Sequence, residues 1–370
     1  MQQGRAMDGT AHLAVLAREP RPAGGEAEQR ARGYAARVLG DAGFQVECER
    51  FVYSAFPGRL ATPIGGALAG ATVCLGASLA LMSKNGAGAL VALLAGLLLL
   101  MVFTAAMLGV AVLTLPFLRA ESQNLVATRG SEAPRVWLVA HLDSKSQPVP
   151  SLARVCGVVL VAGALALALV ACGLQLASLP HRTAWWGAIA ATILGAPLLM
   201  MSVVGARSPG ALDNASGVAA VLAAATALDP WVSVGVLLPS AEELGLAGAR
   251  AWARERAAGT ALNCDGVDDE GELTIMYTRT RPNELIDVVR RAALHGLGSG
   301  LGLRARRMPL GLLTDSVALA DRGWSTVTLS RGSLASLRRV HTSHDSLAAL
   351  RGDGVDVMAT LLARAAEALA

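Results

Sequence analysis

Four stretches of the chain carry no charged residue over about 20 positions or more, long enough as helices to cross ~30 Å of hydrocarbon. They come in two pairs. Residues 62–82 and 87–117 are split by Ser83-Lys84-Asn85-Gly86, and residues 155–178 and 184–204 by Leu179-Pro180-His181-Arg182-Thr183. Gly and Ala recur in all four, which suits close packing of helices in lipid. A helix buried in a soluble protein is also apolar all round, but four such runs in two hairpins point to transmembrane segments. The second run is longer than a bilayer requires and is expected to tilt or emerge.

Outside these runs the pattern is that of a globular domain. Residues 26–42 have helical spacing, with Ala31, Tyr34, Ala35, Val38 and Leu39 on one face, and Gly43 supplies a C-terminal stop. Residues 44–53 alternate apolar with polar and predict a strand. Further strands are expected at 124–128, 135–140, 232–238, 261–264, 272–277 and 325–329, and helices from Gly217 to Leu228 and over 248–256, 285–294 and 355–369. Strands alternating with helices predict an α/β domain around a largely parallel sheet. Residues 1–25 are weakly patterned and read as a poorly ordered lead-in.

Composition sharpens the membrane reading. The chain has 370 residues, 53% hydrophobic and only 16% charged, with a mean hydropathy of +0.48, too apolar for an ordinary soluble enzyme. Removing the four runs leaves roughly 270 residues, the size of one large domain. The net charge of +4 comes almost wholly from arginine, the lysines being Lys84 and Lys145. No basic run or aromatic stripe marks a nucleic-acid partner. The five cysteines are scattered without a CxxC or disulfide framework. The first 60 residues lack the apolar core of a secretory leader, so the N-terminus is expected in the cytosol.

Candidate chemistry collects where strands give way to loops. The apolar strand ending at Leu238 is followed by Pro239-Ser240-Ala241-Glu242-Glu243-Leu244-Gly245. Two carboxylates at a buried strand end are costly unless they have work to do. One of them on a metal with its neighbour as general base is one reading, and an acidic helix start is the other. His141 and Asp143, Asp213 and Asp265 fall at other strand–loop junctions, and His341 and His344 with Asp345 precede the last helix. In open α/β sheets these junctions are where ligands and catalysis sit. Two histidines with several carboxylates suit zinc or a similar divalent ion.

In order along the chain these elements are His141-Leu142-Asp143, Asp213-Asn214-Ala215-Ser216-Gly217, Glu242-Glu243-Leu244-Gly245, Asp265, and His341-Thr342-Ser343-His344-Asp345. The series resembles the co-catalytic zinc aminopeptidases, which include bacterial leucyl aminopeptidases, aminopeptidase Y and the glutamate carboxypeptidase II group. No element is missing. The resemblance implies two divalent ions, zinc by analogy, with His141 and Asp265 on one, Glu243 and His341 on the other, and Asp213 bridging them. It implies that Asp143 orients the His141 ring and that Glu242 is the general base. His344 is expected to be a loop residue, and Asp345 to fix its loop or cap the next helix. Thr314-Asp315-Ser316, ahead of Gly323, loosely resembles a pocket segment of the family.

Residues 1–60, 119–153 and 206–370 are then parts of one peptidase domain, and residues 61–118 and 154–205 are inserted transmembrane hairpins. This is where the chain departs from the family. The second hairpin leaves shortly after His141, so the metal centre is expected near the bilayer surface, where the hairpins shape access or simply anchor the enzyme. Arg59, Arg119, Arg154 and Arg207 flank the domain ends of the hairpins, against Lys84 and Arg182 at their tips, which predicts a cytoplasmic domain. The expected function is a membrane-anchored di-zinc exopeptidase, an aminopeptidase by preference, with peptide as substrate and the bilayer as partner. Competing readings are a glutaminyl cyclase, a non-catalytic receptor or scaffold on the same fold, and a small transporter. The transporter would need polar groups inside the apolar runs, and they have almost none.

Overall fold

Eight strands form one sheet in the order β1-β2-β4-β3-β5-β8-β6-β7, where β1 is Gln45–Ser54, β2 Arg119–Arg129, β3 Val136–Val139, β4 Val234–Leu238, β5 Thr260–Val267, β6 Glu272–Tyr277, β7 Leu303–Arg307 and β8 Ser325–Gly332. The computed structural model describes residues 8–109, 111–130, 133–297, 302–309 and 311–370. The chain divides into two compact units, one from Met1–Ala55, Val112–Ser146 and Ala206–Ala370, the other from Phe56–Ala111 and Gln147–Gly205.

The first unit is the α/β domain. Its central strands β4, β3, β5 and β8 run parallel, while β1 and β2 join antiparallel on one side and β6 pairs antiparallel with β8 on the other. Every residue of β3 and β4 is buried, which explains their unbroken apolar runs: strands covered on both faces have no polar side to show. The Ala-rich helix Ser216–Ala227 and the closing helix Asp353–Leu369 pack into one core with Leu138, Val236 and Leu262. In register, Val139 lies beside Leu237 on β4 and beside Asn263 on β5. The residues just beyond these positions therefore share one end of the sheet, which is what a site at the strand ends requires.

Two expectations are corrected. Residues 9–25 are not a loose lead-in: Gly9–Leu16 is a helix whose Leu13 and Leu16 join the core, and Arg21 is fully buried. Residues 1–7 lie outside the described residues. Asp265 is not the residue after a strand but lies within β5, where the ladder to β8 shifts register between Cys264 and Val267 and Gly266 takes a φ of +71°. Continued by two residues from Val139 and Asn263, the β3–β5 register sets Asp265 beside His141.

The second unit is four helices, Phe56–Leu81, Gly86–Met107, Ser151–Leu176 and Arg182–Met200, each long and apolar enough to cross a membrane. Small residues bring their backbones together. A Cβ on Gly66 would lie 2.6 Å from the Cβ of Leu199, and one on Gly195 2.7 Å from that of Leu160, so neither position accepts a larger residue without movement. Leu94, Leu98, Leu99, Met101 and Val102 of the second helix are exposed, an apolar face that suits lipid rather than water. That helix ends at Met107, short of the apolar run that predicted it, and a separate short helix follows at Ala111–Thr114.

Candidate metal centre

The Glu242–Glu243 turn is built by its backbone. Ala241, Gly245 and Leu246 all have positive φ, at 56°, 108° and 61°, so the chain folds tightly around the two acids before the helix Ala247–Arg254 begins. The acids are therefore not a helix start. Left-handed conformations at non-glycine residues cost about 1–3 kcal/mol each and persist where surrounding contacts over-determine them. Here the contact is Asp143, whose carboxylate accepts the backbone N–H groups of Glu242 at 3.1 Å and Glu243 at 3.2 Å. His341 is also left-handed, at φ 64°.

Around this turn the predicted residues converge. Nε2 of His141 is 3.2 Å from Oδ1 of Asp213, and Nε2 of His341 is 3.0 Å from Oδ2 of the same carboxylate. His341 Nε2 is 3.3 Å from Glu243 Oε1, and His141 Nε2 is 3.8 Å from Asp265 Oδ1 and 3.9 Å from Glu242 Oε2. Two groups with metal-ligand spacing result, His141 with Glu242 and Asp265, and Asp213 with Glu243 and His341. Asp213 faces both histidines, one oxygen to each. His344 is exposed and belongs to neither group.

The supporting contacts tie distant motifs together. His141 Nδ1 lies 3.0 Å from the carbonyl oxygen of Asp143 and 3.6 Å from its carboxylate, so the ring is oriented through the backbone of Asp143. Asp345 accepts the N–H groups of Leu212 at 2.6 Å and Asp213 at 3.2 Å, fixing the segment that carries the shared carboxylate. Asn214 donates to the carbonyl of Cys264 and accepts from Gly266, on either side of Asp265.

Three residues of the site were not singled out as site residues from the sequence. Arg21 donates to the carbonyl oxygens of Leu16, Leu142, Pro209 and Gly210, joining the loops of the first two motifs. Lys145 places Nζ 2.6 Å from Glu243 Oε2. Its signal was its type: in a chain that takes its positive charge from arginine, it is one of two lysines and stands two residues past Asp143. Asp315, in the segment only loosely matched to the family, is fully buried, with neither carboxylate oxygen hydrogen-bonded among the described residues.

Electrostatics separate the acids. Burial opposes charge on Asp213, but the two histidines outweigh it and hold its pKa well below the usual range. Glu243 is pulled down to about 2, burial being overcome by Lys145 and His341. Glu242 goes the other way, pushed well up by burial with Glu243, Asp315 and Asp265 adding to it against His141. Burial also raises Asp265, and lifts Asp315 to about 8. Burial disfavours charge on His141 and His341, and Lys145 adds to this at His341, yet the surrounding carboxylates raise both rings. The neighbours Glu242 and Glu243 are thus pushed in opposite directions, the one toward holding a proton and the other toward staying ionised.

The donor set fits a divalent metal. Two imidazoles and four carboxylates crowd together, and Oε1 of Glu243 is buried without a hydrogen bond among the described residues. Such a concentration of buried negative charge is costly unless cations offset it, and nitrogen with carboxylate oxygen is a donor set that zinc accepts. The model of peptidase family M28 matches residues 124–366, more than half of the chain and all five motifs. The chain belongs to peptidase family M28. It is therefore a metallopeptidase-type hydrolase, on the mixed, mostly parallel α/β sheet expected from its sequence.

Solved structures share the family fold at low identity. An aminopeptidase from Aneurinibacillus sp. strain AM-1 matches with a TM-score of 0.58 at 14% identity, over 98% of this chain and 93% of that one. A zinc aminopeptidase from Bacillus subtilis matches with a TM-score of 0.57 at 14% identity, over 99% and 95%. A glutaminyl cyclase from Porphyromonas gingivalis matches with a TM-score of 0.58 at 13% identity, over the full length of both chains. No curated protein sequence matches the chain.

Proposed function

We propose that this family M28 member is a membrane-anchored aminopeptidase that holds two divalent ions, zinc by its donor set. The observation that carries the reading is Asp213, one oxygen beside each histidine, since a carboxylate shared this way serves two adjacent ions. His141 and Asp265 would hold one ion, Glu243 and His341 the other. Bound there, the ions would supply an activated water and polarise the scissile carbonyl. Glu242 takes the proton of the attacking water and returns it to the leaving amine, a task suited to a buried carboxyl whose pKa is raised. Asp143 keeps Glu242 and Glu243 in place by accepting their amides, and positions His141 through its own carbonyl.

The four apolar helices support insertion in the bilayer, and both hairpins leave and rejoin the α/β unit along the chain. With more arginine at their domain ends than positive charge at their tips, this unit faces the cytoplasm. Protease protection of right-side-out and inverted vesicles tests this: digestion of the domain only from the extracellular side would reverse the orientation.

The activity test offers the detergent-solubilised protein peptides with free and with blocked N-termini, with metal content measured in parallel. Cleavage confined to free N-termini is the expected result. Cyclisation of an N-terminal glutamine without cleavage would make the protein a cyclase, and the absence of bound metal would leave a scaffold.

A further inference from the structure

The two groups at the centre are unequal in their surroundings. Lys145 stands 2.6 Å from Oε2 of Glu243, while Oε1 of the same carboxylate is the buried oxygen that faces His341 at 3.3 Å. The strongest charges acting on His141 are carboxylates, whereas the ammonium of Lys145 acts on both Glu243 and His341. Lys145 is only partly exposed, its side chain at 16%, and Glu243 is buried, so water screens their interaction weakly. A flexible lysine at such a place is a point charge rather than a rigid fork, and it constrains one oxygen without covering the other.

We propose that Lys145 is a positioning residue that makes the two metal pockets unequal. By holding Oε2, it presents Glu243 to an ion through Oε1 alone, and its charge weakens the pocket of Asp213, Glu243 and His341. The ion in that pocket is then the exchangeable one, and the enzyme passes between a singly and a doubly loaded form as divalent metal becomes scarce or plentiful. This rests on reading the two groups as metal pockets. A unit positive charge within a few Å of a divalent ion repels it enough, even when heavily screened, to cost at least about tenfold in affinity.

The test is metal binding, not turnover. Full-length protein in detergent is stripped with a chelator and titrated with Zn2+ against a competing indicator, and bound metal is counted by mass spectrometry. In the wild type two equivalents are expected with separated affinities. Lys145→Met should tighten the weaker equivalent at least about tenfold and leave the tighter one unchanged. Lys145→Gln repeats the neutralisation should the methionine variant fold poorly, and Lys145→Arg, which keeps the charge, should retain the wild-type separation. Unchanged affinities in both neutral variants, or a further weakening of the second equivalent, would overturn the proposal. Glu243→Gln and His341→Ala check the underlying reading separately: each should lose the weaker equivalent, and retention of both ions would remove the pocket itself, whatever Lys145 does.

Discussion

The pocket around His141 and the pocket around His341 use the same kinds of donor but are held by different architecture. His141, Asp265 and Glu242 stand at or near the ends of three neighbouring parallel strands, so the sheet itself sets their spacing. His341 comes from a loop between the helices Leu334–Arg339 and Asp353–Leu369, and Asp213 from an irregular turn ahead of Ser216–Ala227. The loop-built pocket gains its order from side chains: Asp345 grips the amides beside Asp213, and Lys145 grips Glu243. Asp143 and Asn214 brace the sheet-end group too, but there strand register already sets the spacing; the loops have only their braces, and each brace is a place where the site can be tuned or broken.

The largest expected effect separates two adjacent residues. Glu242→Gln removes the proton carrier but no proposed ligand, so kcat should fall at least roughly 10²-fold with both metals retained. Glu243→Gln should lose metal from the His341 pocket as well as activity. Equal metal loss in the two variants would show that Glu242 is itself a ligand, a real alternative given its 3.9 Å approach to His141, and would redraw the boundary between the pockets.

A smaller effect is expected from cutting a brace. Asp345→Ala leaves the amides of Leu212 and Asp213 without their acceptor in a buried setting, at about 1–3 kcal/mol for each amide left unpaired. Because Asp213 faces both histidines, both metal equivalents should weaken and the melting temperature of the metal-free protein should drop. Loss of affinity in one pocket alone would mean that Asp213 is not shared.

The difference between the pockets also explains what the sequence disclosed. The strands β3 and β4 were legible because burial on both faces leaves a purely apolar run, and the acids just past β4 gained meaning only with the histidines and acids at the other strand ends. The helix Glu26–Asp41 was legible from its apolar face. The braces were not, because their meaning lies in partners about a hundred or more residues away, as with Asp143 and Glu242 or Asp345 and Asp213. Arg21 sits between two prolines with no periodicity around it, so nothing local marks it as the residue that ties three loops. β7 went unpredicted for a different reason. Three of its five residues are exposed arginines, and the alternation of Leu303 and Ala305 with Arg304 and Arg306 is too short, on an edge strand with one neighbour, to mark a strand.

The last effect is one of pH rather than of chemistry, and it lies behind the Glu242–Glu243 turn rather than in either pocket. Glu28 is fully buried, accepts from the amide of Gly24 at 2.8 Å and from Ser122 at 3.3 Å, and Ser122 in turn meets Ser240 at 2.6 Å, two residues before Glu242. Burial, with Asp143 adding to it, raises Glu28 from 4.5 to about 7, against the hydrogen bonds and Arg32. A carboxyl whose folded pKa is raised is stabilising in its protonated form. Its contribution is fully present below the unfolded value of 4.5 and is lost as the pH rises through about 7. Glu28→Gln keeps an acceptor for Gly24 but does not titrate. Between pH 4.5 and above 7 the wild type should therefore lose stability relative to the variant, by up to roughly 3 kcal/mol, since each tenfold change in proton affinity is worth about 1.4 kcal/mol. Denaturation of both proteins across that range, metal-free and zinc-loaded, reads the difference. It should survive metal loading, because Glu28 belongs to neither pocket. Parallel curves would show that Glu28 is already ionised in the folded protein, with Arg32 at 3.6 Å as its counter-charge.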